Sequence, residues 1–342
     1  MTVIVMNIIN LLNKLLQSKD LTADEMREFL AAVMRGEVLP TQIAAILTAL
    51  RMKGETVEEI VGLVEAMRER MVRVDARDAI DVCGTGGDGS NSINVSTCVS
   101  LVVAACGVGV AKHGNRAVSS KSGAADVLEA LGVNVQLTAK QAKKVYERVG
   151  MVFLFAPLFH PATKQVAMVR KELKIRTVFN FLGPFLNPAG VRRQLIGVPS
   201  RNVAERLIEV GRRLGYEHLV IVASEDGMDE VSVSAKTVVF DLKKGRVRRY
   251  ELDPREYGFR MGERDEVEGG DARVNAGCLV DILRGKTGAK RDIVVLNSAV
   301  ALYAGNRVAS IEEGIGMAEE AIDSGKARVV LERLVEGRRR MN

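Results

Sequence analysis

Three stretches of the chain combine residue types and spacings that suit a phosphorylated substrate. The first, DVCGTGGDGSNSINVST at 81–97, sets Gly84, Gly86, Gly87 and Gly89 between a predicted strand and a predicted helix. Glycines there let the backbone turn sharply and bring its N–H groups against an anion, while the following helix offers its positive end. Gly84 to Gly89 also reads G-x-G-x-x-G, but a dinucleotide site needs an acid about 20 residues further on, at the end of the second strand. Lys112 and His113 stand there instead. The loop carries no lysine, so it is no Walker A motif, and Asp88 within it would repel a bare pyrophosphate unless a cation intervened.

The second stretch, KHGNRAVSSKSGAAD at 112–126, again falls between strand and helix. Two adjacent strands would deliver both loops to one carboxyl edge, where α/β proteins bind ligands. Lys112 and Arg116 bring charge; Asn115, Ser119 and Ser120 bring neutral donors. The third, SEDGMDEV at 224–231, follows a strand predicted over 218–223 and contains the consecutive carboxylates Asp229 and Glu230. Hard oxygen ligands of this kind suit Mg²⁺ shared with substrate phosphates. Neighbours on a regular strand face opposite ways, so both bind metal only from a turn or by serving different ions. Each stretch alone has a plain reading, as a tight turn, a solvated basic turn or an acidic loop. Together they describe chemistry in which metal-bound pyrophosphate departs, with no nucleophilic Cys or Ser beside a base. His113 is the one histidine in a motif; His160 and His218 lie at structural positions.

The elements that must hold these loops follow from pattern. Residues 1–72 carry helix signals: capping boxes at Thr22/Glu25 and Thr56/Glu59, Pro40 at a first turn, and stops at Gly36 and Gly54. Four short helices are expected, joined by about 160–180 into one helical domain. From residue 73 to 342 a larger α/β domain is expected, with a mainly parallel central sheet. Its βαβ rhythm runs strand 80–83, helix 95–107, strand 108–111, helix 122–131, strand 133–137, helix 138–149 and strand 151–155. Strand 195–198, helix 200–214 and strand 218–223 resume it. A hairpin broken at Lys243-Lys244-Gly245 occupies 231–252, and Ser310 with Glu313 caps a late helix.

Composition bounds the class. With 342 residues, 47% hydrophobic and 27% charged, the chain can bury a large core and is neither disordered nor fibrous. A net charge of +6 is compatible with a polyanionic partner, but 4% aromatics and no Trp leave little to stack on single-stranded nucleic acid. Residues 170–213 hold ten Lys and Arg against three Glu, which reads as a local attraction for small anions. Cys83, Cys98, Cys106 and Cys278 have no C-x-x-C spacing, the pattern of buried thiols in a reducing compartment. Residues 1–16 lack a basic start and a cleavage site and read as an amphipathic helix. The apolar run 95–111 is shorter than the roughly 20 residues that span a bilayer. A cytoplasmic protein without membrane or nucleic-acid partners is expected.

The motifs GTGGDGSNSINVST at 84–97, KHGNRAVSS at 112–120 followed by SGAADVLEALG, RKELKIRTVFNFLGPFLNPAG at 170–190 and DGMDEVS at 226–232 closely resemble the anthranilate phosphoribosyltransferases, over nearly the whole chain. The resemblance implies the fold of the nucleoside phosphorylases and class III phosphoribosyltransferases. It implies transfer of the phosphoribosyl group of 5-phosphoribosyl-1-pyrophosphate (PRPP) to the amine of anthranilate in tryptophan biosynthesis, with Mg²⁺ as cofactor. Gly84, Gly87, Asp88, Ser92, Asn94, Val95, Ser96 and Thr97 would hold PRPP, together with Lys112, His113, Gly114, Asn115, Arg116, Ala117, Val118, Ser119, Ser120 and Ala124. Ser96, Asp229 and Glu230 would ligate magnesium. Gly84, Asn115 and Arg170 would contact anthranilate, with His113 and Pro184 near it, and Lys112, Asn115 and Arg170 would act by charge and position. Ser92 stands where relatives commonly have Thr, and Ala167-Met168 where many have Gly-Pro. The family implies a homodimer through the helical domain, compatible with apolar faces on helices 5–17 and 40–52. The pyrimidine nucleoside phosphorylases differ in the lysine-histidine loop, and a non-catalytic relative that binds nucleic acid is the rival from another class.

Overall fold

The computed structural model describes residues 7–76, 78–117 and 121–339, which fall into two compact units. One comprises Met1–Val72 with Phe159–Leu186, the other Arg73–Leu158 with Asn187–Asn342. Residues 1–6, at the start of the expected first helix, lie outside the described residues.

In the helical unit, helices Ile8–Leu16, Ala23–Arg35, Pro40–Lys53 and Val57–Arg70 form where the caps direct. Thr22 and Thr56 each accept from the backbone N–H three residues on, and Glu25 and Glu59 answer from that position. Glu59 does more than cap: fully buried, it also accepts from Leu21 N at 2.9 Å and Lys53 Nζ at 3.1 Å, tying its helix to the end of the one before it and to the segment that leads into Ala23–Arg35. The segment 159–186 belongs here through backbone groups, Val72 N donating to Phe159 O and Arg68 Nε to Phe185 O, both at 2.8 Å. It contains the helix Lys164–Leu173.

The α/β unit is built on β1 (Ile80–Gly84), β2 (Val110–Gly114), β3 (Met151–Phe155), β4 (Arg193–Gly197), β5 (His218–Ser224), β6 (Thr237–Lys243) and β7 (Arg246–Leu252). Among the described residues these make one sheet in the order β3-β2-β1-β4-β5-β6-β7. The first five are parallel; β6 and β7 run antiparallel, joined by a Lys244-Gly245 turn in which both residues have positive φ, as a two-residue hairpin loop requires. Strand order reverses between β1 and β4, the switch point at whose carboxyl edge such sheets bind ligands. The helix Ala289–Ala304, buried from Ile293 to its end, packs on the helix Val95–Ala105 and on β4 and β5.

Two expectations need correction. Residues 133–137 form no strand: Val133, Val135 and Leu137 are buried alternately, but β3 occupies the place beside β2 and Asn134 Oδ1 ties up Gln136 N at 3.0 Å. The second strand starts at Val110 rather than 108, after a turn at Gly107 (φ 83°). Lys112, His113 and Gly114 therefore lie at the carboxyl end of β2 and not in the loop beyond it.

Candidate active site

At the switch point β1 and β4 end in paired glycines, Gly84 and Gly197. Asp229 lies directly over them: a Cβ on Gly84 would overlap its carboxylate, and one on Gly197 its carbonyl. Past Gly84 the chain turns through Gly86, Gly87 and Gly89, all near φ +70° (74°, 71° and 71°), where any other residue is strained. The opened turn lets Gly86 N donate to Asp229 Oδ2 at 2.6 Å, and Asp229 N donate to Asp88 Oδ2 at 3.3 Å. Glu230 reaches the next helix, accepting from Ser96 N at 3.2 Å. Asp229 and Glu230 belong to the irregular segment after β5, which is how adjacent carboxylates face the same loop.

These acids are crowded and dry. Burial, followed by the Asp88 charge and opposed by the Gly86 N–H, pushes the Asp229 carboxyl from the ordinary 3.8 up to about 7. Burial and then the Asp229 charge hold Glu230 well above its usual range, opposed by Lys112 and the Ser96 N–H. Lys112, only 2% exposed, lays its ammonium between Val82 O at 2.6 Å and Ser96 Oγ at 3.1 Å. Repulsion among three carboxylates with one nearby cation is relieved by a divalent ion, so the donor set fits Mg²⁺. Among the described residues no three His, Cys, Asp or Glu side chains form a metal site on their own. Phosphate oxygens would complete the shell, as is usual for Mg²⁺.

The loop is braced from a segment the motifs did not flag. Ile93 N donates to Val267 O at 3.0 Å, Gly269 N to Asn91 O at 2.8 Å, and Ser92 forms a bridge with Glu268. Asn275, 2% exposed, donates to Asn94 Oδ1 at 2.7 Å and accepts from Gly270 N at 2.7 Å. Asn94 Nδ2 spans to Ser122 O at 3.2 Å, so its amide is engaged at both ends and holds loops together. The readable signal was the Gly269-Gly270-Asp271 cap followed by Asn275 in line with the apolar face Ala276, Leu279 and Leu283. Asp81, Asn187 and Gln194, buried beneath the site, were also missed as site residues.

Other expected residues divide into distinct roles. Val95 and Thr97 have buried side chains within the helix Val95–Ala105, whereas Ser96 meets Glu230 through its backbone N–H and Lys112 through its hydroxyl. Asn115 is exposed at the end of β2. Arg116 is exposed but committed, bidentate to Glu129 at 2.6 and 2.8 Å and bonded to Asp126 at 2.9 Å, with its guanidinium over the Phe155 ring. Asp126 Oδ2 accepts from both Ala117 N and Gly123 N at 3.0 Å, closing the loop just before Ala124 opens the next helix. Val118, Ser119 and Ser120 lie outside the described residues. Arg170 and Pro184 belong to the helical unit; Arg170 is half-buried 5.7 Å from the Phe179 ring centroid, and burial lowers its pKa. The basic excess over 170–213 is not one attracting field. Arg193, at the start of β4 and so at the opposite end of the strand, bonds Gly305 O and Asp78 O, while Arg201 and Arg212 pair with Glu205 and Glu209.

Comparison with known proteins gives concordant matches. Residues 76–328 match the α/β domain of a glycosyl transferase family and residues 9–71 its helical bundle domain. The chain is 49% identical over 327 residues to the anthranilate phosphoribosyltransferase of Acetivibrio thermocellus, covering 95% of each chain. It is 48% identical to that of Geobacillus sp. (strain WCH70), covering 95% of this chain and 96% of the other. The crystal structure of the Thermus thermophilus enzyme superposes with a TM-score of 0.90 at 40% identity, over 96% of this chain and 99% of that one. The Saccharomyces cerevisiae enzyme, in complex with PRPP and Mg, gives 0.88 at 29% identity, over 96% and 97%. Among the described residues no helix is long and apolar enough to cross a membrane.

Proposed function

The chain belongs to the anthranilate phosphoribosyltransferase family, and on that premise we propose how its own residues carry the transfer of the phosphoribosyl group of PRPP to the amine of anthranilate, with release of pyrophosphate. The observation that carries the reading is the gathering of Asp88, Asp229, Glu230 and Lys112 under a glycine loop at the switch point.

Mg²⁺, held by Ser96, Asp229 and Glu230, supplies positive charge to the diphosphate when bound. The N–H groups of the exposed Gly87 and Gly89 cradle phosphate oxygens, and Lys112 offers a buried ammonium to the departing pyrophosphate. Because Lys112 is pinned by Val82 O and Ser96 Oγ, it needs no reorganisation as charge develops. Asn94 and Ser92 hold the loop in shape. An arylamine is neutral at physiological pH, so its lone pair attacks the ribose carbon without a prior base, and the chain's contribution is position and charge. Asn115 and the Arg170 guanidinium are the proposed partners of anthranilate, Arg170 through a two-point grip on the carboxylate. Self-association through the helical unit is proposed from its exposed apolar residues Ile9, Leu16, Leu39 and Met52, and a cytoplasmic location from four free cysteines.

Following anthranilate fluorescence on adding PRPP and Mg²⁺ tests the reading. A loss that needs both, with matching pyrophosphate release, supports it. Unchanged fluorescence, together with salt-sensitive DNA binding or phosphorolysis of a pyrimidine nucleoside, replaces it. Arg170→Ala is expected to raise the KM for anthranilate by about 10- to 100-fold with that for PRPP unchanged, the value of a charged hydrogen-bonding pair.

A further inference from the structure

Neighbouring ladders of the sheet are continuous where β1 meets β4, from Ile80↔Arg193 to Gly84↔Gly197, and where β2 meets β3, from Val110↔Met151 to Gly114↔Phe155. Between β1 and β2 only Ile80↔Val110 is registered. In a parallel ladder the next rung would pair Val82 with Lys112, Val82 N donating to Ala111 O and His113 N to Val82 O. Three of those groups, His113 N, Ala111 O and Val82 O, are bonded to side chains instead. Asp81 Oδ1 accepts from His113 N at 3.3 Å. Asn187 Nδ2 donates to Ala111 O at 2.7 Å and to Asp81 Oδ2 at 2.8 Å. Lys112 Nζ donates to Val82 O at 2.6 Å.

We propose that Asp81 and Asn187 are positioning residues that replace this backbone rung and thereby set Lys112 in the phosphate site. The inference rests on the phosphoribosyl-transfer reading. A backbone rung is open to any two strands, whereas burying a carboxylate and an amide to the same end carries a desolvation cost. The replacement achieves something a closed rung cannot. With the rung closed, Val82 O would be engaged by His113 N and would compete poorly as the anchor for the ammonium. Gln194 Nε2, 3.4 Å from Asp81 Oδ2 and itself held by Tyr216 OH at 3.0 Å, steadies the carboxylate from β4. Asn187 Oδ1 accepts from Ala189 N at 2.8 Å, which fixes the orientation of its amide.

The test compares wild type, Asp81→Asn, Asn187→Ser and, as a destabilised control in the same sheet, Leu219→Ala. Three quantities are read: KM for each substrate, binding of Mg²⁺-pyrophosphate by calorimetry, and amide exchange at His113. Asp81→Asn and Asn187→Ser are each expected to weaken PRPP and Mg²⁺-pyrophosphate binding by roughly 10- to 100-fold, as displacement of a catalytic group does. His113 exchange should quicken, while the KM for anthranilate stays put. Leu219→Ala lowers the unfolding midpoint and leaves these readouts alone. If both site variants behave like Leu219→Ala, the rung is merely structural and the inference is overturned; should one fail to fold, the other decides. A wild type that binds Mg²⁺-pyrophosphate yet never consumes anthranilate overturns the functional reading alone, since binding and exchange still judge the rung.

Discussion

Two buried carboxylate clusters in the α/β unit are held in opposite electrostatic states. On β6, Asp241 accepts from Tyr303 OH at 2.8 Å and Arg248 NH2 at 3.1 Å and lies 3.2 Å from His218 Nε2. His218 is in turn fixed by Asn306 Oδ1 at 2.7 Å and stacks edge-on against Tyr303. Burial raises the Asp241 pKa, but bonds from His218 and Tyr303 outweigh it and leave the carboxyl below its usual value. At the switch point Asp88, Asp229 and Glu230 are held by backbone N–H groups that do not offset their mutual repulsion, and Asp229 is raised to about 7. Burial therefore does not distinguish a functional acid from a structural one. The balance of donors against charge does: the Asp241 network is complete within the chain, and the switch-point acids are completed only by a cation and its phosphates.

The sharpest way to break this contrast is to remove the charges. Asp229→Asn with Glu230→Gln is expected to lower Mg²⁺-dependent turnover by about 10³-fold, as loss of groups that organise transition-state charge does. The unfolding midpoint without ligand should hold or rise, because buried like charges are gone. Mg²⁺ with pyrophosphate should stabilise wild type and leave the double variant unmoved. Full turnover in the variant would place the metal elsewhere.

Acid and base dependence separates the clusters next. Asp229, raised in the folded state, keeps a proton that the unfolded chain has released between about pH 4 and pH 7. Its contribution favours folding at low pH and is lost as pH rises through 7. Asp241 has the opposite sign: its contribution is present above the unfolded value and is lost as pH falls through its lowered folded value. Denaturant titrations without metal should show wild type losing stability relative to the double variant from pH 4 to 7, with the gap closing at pH 4. A constant gap would mean that the switch-point acids are already neutralised within the chain.

Asp241→Asn reverses the pattern of the double variant. It turns an amide N–H₂ toward existing donors and should cost about 3 kcal/mol of stability, the range for breaking a buried pair. Turnover below the new midpoint should match wild type. A variant that stays stable but loses activity would make Asp241 part of the site and dissolve the distinction.

Much of the switch-point cluster was legible in sequence because its parts are local: a glycine run after a strand, Lys112 at the end of the next, two consecutive acids after a third. The capped helices and the Lys244-Gly245 hairpin were legible for the same reason, since caps and turns depend on a few adjacent residues. Asp241, His218 and Tyr303 were not, because each sits unremarkably in its own element and they meet only through β5–β6 pairing and helix packing. The same holds for Asn187 bonding Asp81, and for the 267–275 brace. Residues 133–137 misled in the other direction: alternation records which side chains are buried, and only a free neighbour in the sheet makes a strand of it.

The smallest effect asks which donor holds Asp241. Arg248 is the evident ion-pair partner, but its side chain is 70% exposed while the Asp241 side chain is fully buried. Solvent screens the guanidinium, so Arg248→Ala should cost under about 1 kcal/mol, the value of an exposed pair. Tyr303 reaches the same oxygen from the interior, and Tyr303→Phe removes one buried donor for about 1 to 2 kcal/mol. Thermal unfolding of the two variants in parallel should therefore rank Tyr303→Phe below Arg248→Ala in stability. The reverse order would mean that Asp241, like the switch-point acids, depends on countercharge at its surface. A complete internal set of hydrogen bonds would then no longer be what separates the structural acid from the functional ones.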